Sequence, residues 1–457
     1  MPADRGLSGL GLLMQLFGSV FAALTSVILI VVLITAGRAR GGGNEMLWVL
    51  LLCGTGITRS LLHRAAGAEL LYGTGNVFGG IKKYFIAAMA NTVVWLFVLS
   101  SQMHAPAAGI IPMLLALVAW PIALVVVASM PAYRAMADKV PTGEDKGFEG
   151  ASILMLVFGL LGVIFMSLML YVTWTSARGG MKGSLPFMMM MLAMILLVIR
   201  SGIHVGAGLT GLRETRFDLV VASANRYADF GVIATFIAAG AICLTIMMGA
   251  PDPTVFAVMA CMVWALLAWP LTIRKFFSER QFADLMAQTR DEQQPHHRAP
   301  DLGLTSLGWL LFAQALLSIS FALPTALLAP GNGAEAMSMR GNPFGELTGL
   351  LGAQMGHSPW WGVGLAALQL WAAIELVRMS ELHRIAASAF GALAAAVTLY
   401  FDWPLISHLG SMRGGDLPGS TMIFAMVAMQ LTIPVATLVL VNRNPVPAAT
   451  ARFTGAT

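Results

Sequence analysis

Charge is the scarcest property of this chain. Asp, Glu, Lys and Arg make up 11% of its 457 residues, whereas apolar residues make up 58%. With a mean hydropathy of +0.78, a water-soluble domain of this length could not stay in solution. Cysteine is almost missing too. Cys53, Cys243 and Cys261 all fall inside apolar stretches, where a thiol acts as a small hydrophobe, so no disulfide framework and no Cys-x-x-Cys metal centre is expected. The sequence also lacks a P-loop, a Gly-x-Gly-x-x-Gly after a strand, a Gly-x-Ser-x-Gly and a His-Glu-x-x-His, which argues against an ATPase or hydrolase. No cofactor and no resident metal is expected.

Long apolar runs are what the chain has in quantity. An α-helical span needs about 20 mostly apolar residues. Twelve stretches meet or approach that length: 9–36, 46–63, 84–101, 107–129, 151–176, 184–202, 229–249, 252–273, 303–329, 359–377, 385–401 and 421–441. The first is too long for a signal-peptide core and has no clean cleavage site, so it is read as a retained membrane helix.

Placing the N-terminus in the cytoplasm leaves only Arg38, Arg40, Arg178, Lys182, Arg340 and Arg413 outside, and the other 21 of the 27 Lys and Arg residues inside. Cationic loops are retained on the cytoplasmic side, so this division predicts a multi-pass protein of the cell inner membrane with both termini cytoplasmic. Its positive charge is spread over every inner loop and forms no single patch, so the expected partner is the lipid bilayer and not nucleic acid.

The chain repeats itself. Phe17-Gly18 returns as Phe158-Gly159, Ser26 as Ser167, and Arg59-Ser60-x-x-His63 as Arg200-Ser201-x-x-His204, all 141 residues apart. Ala119-Trp120-Pro121 and Ala268-Trp269-Pro270 occupy the fourth span of each copy. A third, more divergent copy keeps Ser380-x-x-His383-Arg384 and adds an outer loop from about 330 to 358. The expected fold is therefore all-α, with twelve transmembrane helices in three tandem parallel four-helix units, residues 1–145, 146–300 and 301–457. Each unit has an even number of spans, so the copies enter from the same side and share an axis along the membrane normal. In outline, three four-helix arcs resemble the main subunit of heme–copper oxidases. That family carries several histidine motifs within its helices, including a His-His pair in a span. Here the equivalent histidines are placed at helix ends and His296-His297 in a loop, so the likeness extends to architecture alone.

Few residues offer chemistry. His63, His204 and His383 are placed at the cytoplasmic ends of the second helix of each unit, where three imidazoles around one axis could bind a metal or an anion. The favoured reading is simpler: Ser-x-x-His and the neighbouring Arg59, Arg64, Arg200, Arg378 and Arg384 end a helix at the lipid headgroups and reach for water. Glu375 and Arg378 stand at i and i+3 in the tenth span and are expected to pair on one face. An ionisable residue in a span is a functional-site hypothesis by default. The run Met188 to Met191 points around a helix and not to one face, so it is no copper site. Pro121, Pro270 and Pro434 lie in the fourth spans, where each frees a carbonyl and kinks its helix unless a neighbour satisfies that group.

Two functions follow. In the first, the repeats enclose a translocation path for a small solute or ion, with Glu375 and Arg378 as gate or coupling site and the three histidines at the inner mouth. In the second, the protein is a non-catalytic membrane component of an envelope, secretion or electron-transport assembly, with protein subunits as partners.

Overall fold

The structure is a computed structural model. It describes residues 6–38, 43–72, 77–102, 107–131, 133, 147–177, 183–213, 217–247, 253–278, 303–328, 359–409 and 417–443. The expected unit boundaries near 145 and 300, the pair His296-His297 and the loop from 330 to 358 lie outside these residues. The described residues form twelve helices long and apolar enough to cross a membrane, and contain no strand. The protein is thus a multi-pass, all-helical membrane protein.

In chain order the helices are α1 (Leu7–Arg38), α2 (Gly43–Tyr72), α3 (Val77–Phe97), α4 (Ala107–Ser129), α5 (Phe148–Ser176), α6 (Leu185–Arg213), α7 (Phe217–Met247), α8 (Pro253–Phe277), α9 (Leu304–Leu328), α10 (Pro359–Arg378), α11 (His383–Leu409) and α12 (Leu417–Val441). A short π turn, Val98–Gln102, extends α3. Composition alone placed several ends too early. α2 was expected to stop at residue 63 and α6 at 202, but both continue for more than two further turns. Their 30 and 29 residues span about 45 Å at 1.5 Å per residue, longer than the hydrocarbon core. The added turns contain small residues that press against a neighbouring helix, and this packing outweighs their lower hydropathy.

Neighbours in sequence pack together: α1 on α2, α2 on α3 and α3 on α4, with the same succession from α5 to α8 and from α9 to α12. The remaining contacts join the ends of these series. α4 packs on α9, α8 on α1, and α12 on α5, while α1, α5 and α9 touch one another. This order of contacts closes on itself around α1, α5 and α9.

The first turns of those three helices are built alike. Each is preceded by a glycine in the left-handed region, Gly6 (φ 76°), Gly147 (φ 80°) and Gly303 (φ 77°), a conformation that costs glycine little. A Cβ on Gly303 would lie 2.6 Å from the Glu149 backbone, and one on Gly6 would lie 2.9 Å from Thr305, so these starts are pressed together. Just beyond them the core is solid, with Leu12, Leu13, Met14, Ile153, Leu154, Leu307 and Leu311 fully buried.

Close helix pairs rest on glycine. A Cβ on Gly18 would meet the Arg64 backbone of α2 at 2.6 Å, and one on Gly159, 141 residues on, would meet Val205 of α6 at 2.8 Å. Gly67 and Gly208 repeat the contact from the opposite helices. Such small-residue contacts let backbones approach closely, which drives helix association in lipid.

Candidate functional site

The second helices carry Arg and His at i and i+4, which puts both side chains on one face. In α2, that face turns into the space bounded by α3 and α4. The Trp120 indole N–H of α4 donates to His63 Nε2 at 3.0 Å, and the Tyr84 ring of α3 stacks on the imidazole with centroids 4.5 Å apart. In α6 the arrangement recurs. Trp269 N–H of α8 donates to His204 Nε2 at 2.6 Å, and Tyr227 of α7 stacks at 4.1 Å, tilted by 8°. An indole N–H can only donate, so each Nε2 is an unprotonated acceptor and each ring is neutral with its proton on Nδ1.

The arginines explain the prolines. Pro121 has no N–H for the carbonyl of Leu117, four residues earlier, and Pro270 has none for Leu266. Arg59 Nη2 donates to the Leu117 carbonyl at 2.8 Å. Arg200 Nη2 donates to the Leu266 carbonyl at 2.7 Å. The second guanidinium nitrogen reaches the third helix: Asn91 Oδ1 at 3.4 Å in one case, Thr235 Oγ1 at 3.1 Å in the other. The tyrosine hydroxyls, Tyr84 and Tyr227, also bond to their guanidinium. Each arginine therefore ties three helices together and satisfies the carbonyl that a kink would leave bare, a group that costs several kcal/mol in hydrocarbon. Asn91 adds a bond from Nδ2 to Thr55 Oγ1 at 2.9 Å.

These positions change the sequence reading. His63 and His204 are not at helix ends; both are buried inside continuous helices. His383 is buried too, but it opens α11 and does not end α10. Between them α10 stops in a left-handed residue, Met379 (φ 50°). The Ser380 N–H bonds to the Glu375 carbonyl and the Met379 N–H to the Leu376 carbonyl, which is the Schellman pattern of helix termination. Met379 stands where Arg59 and Arg200 stand in the other two segments, one residue before the repeated serine, and Ile433 stands before Pro434 where Trp120 and Trp269 precede their prolines.

The three histidines are not brought together: each is held in its own group of helices. Among the described residues no cluster of three His, Cys, Asp or Glu side chains is placed to hold a metal ion. The expected Glu375–Arg378 pair is likewise absent among the ion pairs of the described residues. The Ser380 hydroxyl donates to Glu375 Oε2 instead, and Arg378 is exposed. The break after Arg378 turns Ser380 back onto Glu375, which i, i+3 spacing alone does not anticipate.

Two features lay outside the sequence reading. Glu149, in the first turn of α5, is fully buried where the starts of α1, α5 and α9 meet. Partial positive charge at helix N-termini favours a carboxylate there. The second is a stripe on α1. Phe17 meets Phe158 of α5 edge-to-face at 6.4 Å, and the same face continues as Phe21, Leu24, Ile28 and Val31, exposed by 54, 41, 48 and 39%. Phe165 of α5, 141 residues from Leu24, is 43% exposed. α1, packed solid at its start, is therefore uncovered along this face of its second half.

No protein-family model, curated protein or solved structure matches the chain.

Proposed function

We propose that the chain consists of three tandem copies of a four-helix unit in the cell inner membrane, with both termini cytoplasmic, and that it carries a small apolar or amphipathic solute along the axis between α1, α5 and α9. The cyclic order of contacts, the recurrence of Arg, His, Tyr, Trp and Pro in equivalent places of the first two units, and Ser380-x-x-His383 and Pro434 in the third support the three units. The positive-inside division of Lys and Arg supports the orientation.

One observation carries the path: the first turns of the three inner helices are packed shut around Glu149, whereas the stripe Phe21, Leu24, Ile28 and Val31 on the inner face of α1 is uncovered towards the other side. This contrast supports a path closed at the cytoplasmic end and open outward. Its lining is apolar, which suits an apolar or amphipathic solute better than an ion. A second reading, a non-catalytic component of an envelope, secretion or electron-transport assembly, draws on the arginine-capped prolines, whose freed carbonyls are already satisfied by fixed bonds between helices.

Thiol accessibility separates the two. Leu24→Cys, Ile28→Cys and Leu13→Cys are introduced singly into a chain whose three native cysteines are replaced, in intact cells. The path reading expects a membrane-impermeant maleimide, added outside, to label positions 24 and 28 but not 13. No labelling at 24 or 28 removes the path and leaves the assembly reading, which stable copurifying subunits would then support.

A further inference from the structure

The third unit differs from the other two at one atom that matters chemically. His63 and His204 each spend Nε2 on an indole N–H. His383 is only 1% exposed, and its Nε2 has no hydrogen-bond partner. Its Nδ1 lies 2.5 Å from the Ser380 carbonyl, an acceptor, so Nδ1 carries the ring proton and Nε2 carries a free lone pair. A buried polar atom left this way is rare and calls for an explanation. Ser380 also links the imidazole to a carboxylate, because its hydroxyl donates to Glu375. Glu375, Ser380 and His383 thus form one connected group at the break between α10 and α11.

We propose that this group is a proton-binding site, and that the third unit is where proton movement is coupled to the protein's work. The step is a simple protonation. The Nε2 lone pair accepts a proton from hydronium, which leaves as water, Nδ1–H stays on the Ser380 carbonyl, and the ring becomes an imidazolium whose charge is balanced by the Glu375 carboxylate. The surroundings allow this. Of the helices packed on α11, α10 carries Glu375 and Arg378, and α12 carries no titratable side chain along its length but is followed by Arg443, whose neighbour Asn442 donates from Nδ2 to Ser388 Oγ of α11 at 3.0 Å. The intervening turn adds the exposed Glu381. On α11 itself Arg384 is adjacent, and Asp402 is 19 residues away, about 28 Å along the helix. In the first two units a guanidinium occupies the helix face four residues before the histidine. In the third, Met379 replaces it, and no cation stands at that position to oppose imidazolium formation.

The inference rests on the three-unit reading for its comparison, and on the transport reading only for the use of the proton. The test is ¹⁵N NMR of the full chain, histidine-labelled and reconstituted in lipid nanodiscs, taken from about pH 8 to about pH 5. His63→Gln, His204→Gln and His383→Gln assign the resonances. The His383 Nε2 signal is expected to move from the neutral to the imidazolium position while the other two keep the neutral, hydrogen-bonded one. A His383 ring that stays neutral throughout overturns the proposal. Wild-type protein gives a second measure that needs no variant: carbethoxylation by diethyl pyrocarbonate, mapped by mass spectrometry. Loss of one indole bond corresponds to about fivefold faster modification at His383 than at His63 or His204; equal rates at the three overturn the proposal. If His383 titrates but the α1 stripe is not labelled from outside, the transport path falls and the proton site stands.

Discussion

If Arg200 exists to satisfy the carbonyl freed by Pro270, its value must depend on that proline. Arg200→Met removes the 2.7 Å bond to the Leu266 carbonyl, the 3.1 Å bond to Thr235 and the bond to the Tyr227 hydroxyl. Interhelical bonds in membrane proteins average about 0.6 kcal/mol each and reach about 1.7 kcal/mol, and a buried carbonyl left without a donor adds about 1–3 kcal/mol. The single substitution is therefore expected to cost about 2–4 kcal/mol. Pro270→Ala restores an N–H at position 270 that can reach the Leu266 carbonyl within the helix. In that background Arg200→Met gives up only the Thr235 and Tyr227 bonds, and its cost is expected to fall by about 1–3 kcal/mol. Pro270 also touches Gly231, where a Cβ would lie 3.0 Å from its ring, but this loss is common to both arms and cancels in the cycle. The assay is reversible SDS unfolding of the four proteins in mixed micelles. Equal costs of Arg200→Met with and without the proline would refute the capping argument and reduce the arginine to a generic tether.

Two further outcomes follow from close contacts and backbone geometry. Gly159→Ala is expected to lose about 1–3 kcal/mol, because its Cβ would meet Val205 at 2.8 Å on the helix–helix seam, whereas Gly202→Ala, with nothing within 4 Å, is expected to be neutral or slightly stabilising; the same unfolding assay compares them. Met379→Gly should raise stability by about 1 kcal/mol, since φ of 50° is strained for methionine and free for glycine. A loss at that position would mean that the methionine side chain supplies packing worth more than the strain.

How much of this was readable beforehand depended on whether a residue's role is set by pattern or by its partner. Twelve spans could be counted from apolar runs because lipid imposes length and composition directly. The 141-residue recurrence of Arg59-Ser60-x-x-His63 identified the residues of the capped kinks, and Pro121 and Pro270 named the carbonyls in need. What spacing could not supply was that Arg59 and Leu117, 58 positions apart, face each other. Without that, arginine and histidine near an apparent helix end read as headgroup anchors. The error came from stopping α2 at residue 63, since hydropathy does not register the Gly67 contact that holds the following turns against α1. Glu149 escaped notice for a similar reason: it lay just before the span read from residue 151, and only the convergence of α1, α5 and α9 buries it.

The divergence of the third segment was visible in the sequence, but its meaning required geometry. The sequence alone shows Met379 and Ile433 where Arg and Trp stand in the two matched segments. In the structure both losses converge on His383: the helix that carried the arginine ends in Met379, and the nitrogen that would have met the indole is left buried without a donor. An unpaired buried imidazole nitrogen costs about 1–3 kcal/mol. Beside a serine that holds Glu375, a cost of that size is what the proposed proton site would account for.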